Sequence, residues 1–170
     1  DKSFGAPKRV LSLLGRKGTS PFAWNASSKN FADQIRKSLK NTMQSDNDPK
    51  EDDIKKLVAF VETLKAPPSI DEARGTQDLA AVKRGATLFQ ALDCIRCHKP
   101  PTYTTPQTYN VGLKDKLGNE QFNPPTLRGV GQRSAYFHDN RALSLSDVFR
   151  KHKHQLSDEL SDDNIRDLIT

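Results

Sequence analysis

The sequence predicts an all-α protein, and three observations carry that prediction. Stretches with apolar residues three and four apart recur along the 170 residues, as amphipathic helices require. No segment alternates apolar and polar residues well enough to make a convincing strand. The chain also repeats one order of elements at a fixed offset, the mark of a duplicated helical unit.

Helices are expected near 30–43, 51–65, 77–92, 144–156 and 161–170. The first is an amphipathic stretch carrying Asp33, Arg36 and Lys37. The second has an acidic start, Asp48-Pro49-Lys50-Glu51-Asp52-Asp53, and an apolar stripe of Ile54, Leu57, Val58, Val61 and Leu64. Pro67 and Pro68 stop it and stiffen a linker. The third presents Leu79, Val82, Ala86, Phe89 and Ala91. In the fourth, Leu145, Val148, Phe149, His152 and Leu156 share a face at the 3.6-residue period, and His154 falls on the opposite side, toward solvent. The last begins Ser161-Asp162-Asp163 and carries Ile165, Leu168 and Ile169. Residues 99–126 are rich in proline and form a long loop, a feature that in compact domains usually serves function.

The repeat pairs residues 12–24, SLLGRKGTSPFAW, with residues 126–138, TLRGVGQRSAYFH, at an offset of 114. Leu13 matches Leu127, Gly15 matches Gly129 and Ser20 matches Ser134. Asp33, Arg36 and Lys37 match Asp147, Arg150 and Lys151. Residues 1–70 are therefore expected to be the helical remainder of one incomplete module, and residues 71–170 a second module. The opening residues Asp1-Lys2-Ser3-Phe4-Gly5 form no signal peptide and lack an initiator Met, so the chain is expected to be a processed or excised piece of a longer precursor.

Hydrophobic content is 34% and mean hydropathy −0.74, so side chains alone would build a modest core. The net charge of +6 suits docking to an acidic redox partner. Basic runs and aromatic–basic stripes are lacking, which argues against nucleic acid, and no apolar stretch approaches membrane-spanning length.

Chemistry concentrates at Cys94-Ile95-Arg96-Cys97-His98, the attachment pattern of a c-type haem. Two thiols one turn apart reach both porphyrin vinyl groups, and the adjacent imidazole meets the iron from the same side. A thioredoxin-like CxxC would follow a strand, whereas a helix is expected here. A zinc site would need further ligands at short spacing, and the next histidine is His138. One covalent haem c is the expected cofactor. Bacterial attachment of such haems takes place outside the cytoplasmic membrane, so a periplasmic or other extracytoplasmic location is implied.

Residues 84–98, RGATLFQALDCIRCH, resemble the opening segment of class I cytochromes c, in which a Gly and an aromatic spaced like Gly85 and Phe89 let the first helix cross the last closely. Residues 124–138, PPTLRGVGQRSAYFH, with Asp139-Asn140-Arg141 and Leu145-Ser146-Asp147, resemble the haem domains of the di-haem cytochrome c peroxidase and MauG family. The resemblance implies a cytochrome c-like helical fold around one covalent haem. It implies haem contacts from Phe89, Pro125, Leu127, Arg128 and His138, with Arg128 and His138 toward the propionates; Arg133 and Arg141 are further propionate candidates. In that family a distal Met lies fourteen residues after the His of the aromatic–His pair, and here that position is His152.

The helical period and the resemblance thus agree on His152 as second iron ligand to His98. A hydrogen-bonded core histidine is the alternative, with His154 or no protein ligand remaining. Electron transfer through an extracytoplasmic chain follows from two strong axial ligands. Peroxidase chemistry, which needs an open distal site, is the alternative.

Overall fold

The computed structural model describes residues 5–170; Asp1 to Phe4, read above as no signal peptide, lie outside the described residues. Helices α1 (Phe31–Lys37), α2 (Glu51–Thr63), α3 (Ile70–Arg74), α4 (Leu79–Ala91), α5 (Leu145–Arg150) and α6 (Asp162–Ile169) follow in order. A π-helical turn, Ser38–Thr42, extends α1. Two differences from expectation stand out. A short antiparallel pair, β1 (Tyr109–Asn110) and β2 (Gln121–Phe122), sits in the long loop with Tyr109 opposite Phe122. The fourth helix ends at Arg150, six residues early.

Local chemistry accounts for the helix starts. Asn30 accepts from the Asp33 amide at 2.9 Å, while the Asp33 carboxylate accepts from the Lys29 amide at 2.9 Å. Ser144 and Asp147 repeat the exchange with Leu143 at 3.0 Å in both directions. Ser69, Asp78 and Ser161 cap α3, α4 and α6 in the same manner.

Those paired caps are one instance of a wider correspondence. Isolated bridges join Phe22 to Ser28 and Tyr136 to Ala142, and positive φ recurs at Gly15 and Gly129 (69° and 64°), Ala23 and Phe137 (67° and 66°), and Ala26 and Asn140 (59° and 62°). Every pair lies 114 residues apart. Each block owns a small core. One is Phe22 stacked on Phe31 at 4.2 Å with Val61; the other is Tyr136, Ala142 and Val148.

The blocks are tied together by hydrogen bonds. The Asn123 amide donates to the Trp24 carbonyl at 2.7 Å, the Arg9 amide to the His138 carbonyl at 2.7 Å, and Lys8 pairs with Asp115 at 3.1 Å. A Cβ on Gly129 would meet Pro67 Cδ at 2.9 Å, so the proline linker packs on the second block rather than spacing it away.

Helix α4 lies across α6 at Gly85, which has no room for a side chain against the Asp167 carbonyl. Ala81 and Gly85 form the buried edge of α4, whereas Leu79, expected on that face, is exposed. The Arg84 guanidinium grips the Asp167 carboxylate with two bonds of 2.7 Å, which holds that carboxyl below its usual range. A depressed native pKa contributes stability above the unfolded value of about 3.9 and loses it as pH falls through the native one. Asp167→Asn is expected to remove this share of the acid-limb slope in denaturant melts between pH 2 and 5 (about the range over which carboxylates titrate). An unchanged slope would show that the pair adds nothing.

Candidate functional site

Cys94 to His98 take their shape from the end of α4. Asp93 adopts a left-handed conformation (φ 55°), a 3-10 turn follows over Cys94–Arg96, and the His98 amide donates to the Cys94 carbonyl at 2.9 Å. Both thiols are free and half-buried on this single turn. Burial pushes each above the ordinary thiol range, so both stay protonated at neutral pH. His98 Nδ1 lies 3.1 Å from the Tyr103 carbonyl oxygen. A carbonyl only accepts, so Nδ1 carries the proton and Nε2 keeps the lone pair. Burial lowers the His98 pKa, and the Tyr103 and Pro125 carbonyls partly offset this.

These residues open onto a cavity of about 540 Å³, within the roughly 300–1,000 Å³ typical of cofactor and ligand sites. Its walls are largely apolar, with Phe89, Leu92, Phe122, Leu127, Phe137 and Phe149 prominent. Cys94, Cys97 and His98 all line it.

The two late histidines are placed differently from the helical expectation. His154 lines the cavity; His152 does not. His152 Nε2 is 3.2 Å from the Arg141 carbonyl, and its ring stands edge-on to Phe137 at 5.3 Å. The His154 ring meets the same Phe137 at 5.4 Å. Burial, then the charge of His98, pushes the His154 pKa down to about 4, so the ring is neutral at physiological pH. The cause is the early end of α5. Lys153 and Gln155 have positive φ (41° and 55°), so residues 151–156 do not continue the helix. Exposure instead alternates, with Lys151, Lys153 and Gln155 out and His152, His154 and Leu156 in. The signal was present as an alternation, Lys-His-Lys-His-Gln-Leu, that a helical period overrides.

Of the remaining expected contacts, Phe89, Pro125, Leu127 and His138 line the cavity. Phe89 meets Tyr103 edge-on at 6.3 Å. His138 is 2% exposed, stacks on Phe122 at 4.5 Å, and its buried Nδ1 has no hydrogen-bond partner among the described residues. Arg128 turns elsewhere. It donates to the Pro101 carbonyl at 3.0 and 3.2 Å, and to those of Gly15 and Lys17 at 3.4 and 3.2 Å. It stitches the two blocks together and is not on the cavity wall. Arg141 is held by Asp139 in a fork of 2.6 to 2.9 Å. The cavity's arginines are Arg96, Arg133 and Arg9. Arg9 escapes sequence reasoning because it belongs to the first block, far along the chain from Cys94 and His98.

No family model matches the chain. A cytochrome c551 peroxidase of Nitrosomonas europaea is 28% identical over 135 residues, which is 66% of this chain and 40% of that protein. This chain therefore spans well under half the length of that relative. A chain of the Kuenenia stuttgartiensis hydrazine synthase, solved under 20 bar xenon, superposes with a TM-score of 0.75 at 20% identity, over 95% of this chain and 70% of that one. A MauG-like protein associated with microbial copper homeostasis gives 0.69 at 16% identity, over 96% and 71%. The fold is shared with a MauG-like protein. The resemblance drawn from the PTLR block and the aromatic–His pair thus has a counterpart in weak sequence similarity to a peroxidase and in whole-chain architecture. Among the described residues no helix is long and apolar enough to cross a membrane.

Proposed function

We propose that this chain is a haem c module of a di-haem peroxidase or MauG-like oxidoreductase. It would hold one haem through Cys94 and Cys97, with His98 and His154 as the iron's protein ligands. The observation that carries this reading is that His98 and His154 line one cavity. The residues fit the group in three respects. Both thiols face the cavity from one turn, and a thiol adds across a vinyl group with its proton going to the neighbouring carbon, so no oxidant is needed. The proximal imidazole is oriented through Nδ1 by a carbonyl, as second-shell partners orient metal-bound histidines. The walls are apolar enough to take a porphyrin face.

When bound, the haem supplies a one-electron couple. The chain's part would be to hold the iron between the neutral imidazoles of His98 and His154, with the apolar walls keeping water off the group and leaving no room for peroxide. That assignment makes this module the electron-transfer member of a peroxidase-like pair. Residues 1–70, with their matching bridges and caps, are read as the back half of a second module without a haem-attachment motif of its own. A periplasmic location follows from where bacterial haem attachment occurs, and the net charge of +6 favours an acidic redox partner.

Production in a host that matures c-type haems tests the reading. The wild-type chain is expected to gain the mass of one haem and to keep its colour through acidified-acetone extraction. A Cys94→Ser/Cys97→Ser variant is expected to lose all colour to the solvent. A colourless wild-type protein of unmodified mass would overturn the proposal.

A further inference from the structure

Arg9 and Arg133 present a charge problem that the apolar cavity does not solve. Both line it, one from each block. Arg133 is held by the carbonyls of Thr126 and Arg128 at 2.8 and 3.2 Å, and Arg9 by the carbonyl of Ala135. Carbonyl bonds orient a guanidinium but leave its charge uncancelled. Burial and the charge of Arg9 push the Arg133 pKa down, so the two cations lie close enough to repel. Behind them, the 6%-exposed Arg16 is pushed down to about 10 by burial and by Arg133. None of these three arginines forms an ion pair among the described residues. The one carboxylate side chain on the cavity wall among the described residues, Asp93, pairs with Arg96 at 3.5 Å. Two half-buried like charges without a counter-ion are costly, and an incoming ligand with carboxylates at one edge lowers that cost.

We propose that Arg9 and Arg133 form a two-armed clamp for a pair of carboxylates, the propionates of the haem, so that the first block closes the haem site of the second. The inference rests on the haem reading above. Residues 7–11 act as a strap. The Arg9 amide donates to the His138 carbonyl at 2.7 Å, and the Arg9 carbonyl accepts from Trp24 Nε1 at 2.8 Å. The strap is therefore fixed at both faces of its backbone before its guanidinium reaches the cavity. Arg128, the arginine the motif suggests for this role, is committed to four carbonyl bonds and serves as the control.

The test uses the haem-loaded protein with Arg9→Gln, Arg133→Gln, the double variant and Arg128→Gln. Each of the first two is expected to shift the propionate bending bands in resonance Raman spectra and to lower the midpoint potential, because a cation beside the haem favours the reduced form. The double variant lowers it further, and Arg128→Gln leaves bands and potential unchanged. Acetate titrated into the wild-type protein is expected to change neither. A saturable acetate response lost in the double variant would assign the clamp to a free carboxylate and overturn the propionate assignment. Unchanged bands and potential in a coloured double variant would overturn it outright. Failure of the haem reading is a separate outcome, since the wild-type protein would then show no haem spectrum.

Discussion

His154→Ala is expected to turn a low-spin haem almost wholly high-spin in both oxidation states, while His152→Ala leaves the visible spectrum and low-temperature EPR unchanged. The reason is geometric. His154 is on the cavity wall with His98, whereas the His152 ring is spent on the Arg141 carbonyl at 3.2 Å and on the edge of Phe137. Removing one imidazole opens a coordination position that added free imidazole should refill, restoring the low-spin spectrum. His154→Met substitutes a thioether and should raise the midpoint potential, because thioether ligation favours the reduced state relative to imidazole. Once opened, the position can take peroxide, so His154→Ala should gain reactivity that the parent lacks. The reverse result, in which His152→Ala changes the spectrum and His154→Ala does not, would return the ligand to the helical position.

Gly85→Ala is expected to have the largest effect on stability of any single methyl added to the chain. The new Cβ meets the Asp167 carbonyl, which is backbone of α6 and cannot rotate away. Overpacking of this kind costs about 1–3 kcal/mol, and a rigid obstruction puts it near the upper end. At roughly 2–4 °C per kcal/mol for a chain of this size, the melting midpoint should fall by about 6–12 °C. Because α4 delivers Cys94, Cys97 and His98 while α6 supplies Leu168 to the cavity, the haem spectrum should broaden before the protein unfolds. A midpoint within about 2 °C of the parent (less than the shift expected from 1 kcal/mol) would mean that the helices can part at this crossing without cost.

Much of the architecture was legible because its causes are local. The acidic starts of α2 and α6 and the stop at Pro67 and Pro68 depend on side chains within a turn or two of one another, and the Gly85–Phe89 spacing that marks the crossing lies within a single helical turn. The repeat was legible for a related reason, since backbone features such as positive φ at Gly15 and Gly129 recur wherever the same short string recurs. The strand pair went unseen because two residues a side, Tyr109–Asn110 and Gln121–Phe122, carry no alternation to detect. Helix α3 is five residues long and gave too short a period to register.

The sequence by itself determined the Cys94–His98 turn, because Cys94, Cys97 and His98 are neighbours whose spacing is their geometry. It also determined the helical class and the paired blocks, which are written in short-range patterns. Only the tertiary structure decided which histidine reaches the cavity and which arginines line it. His154 gets there because the backbone leaves helical geometry after Arg150, and Arg9 because a strap from the first block is bonded to His138 and Trp24 of a folded whole. The placement of Arg9 depends on contacts between distant segments that no periodicity encodes, and the alternation that carries His154 inward competes with a helical period in the same stretch.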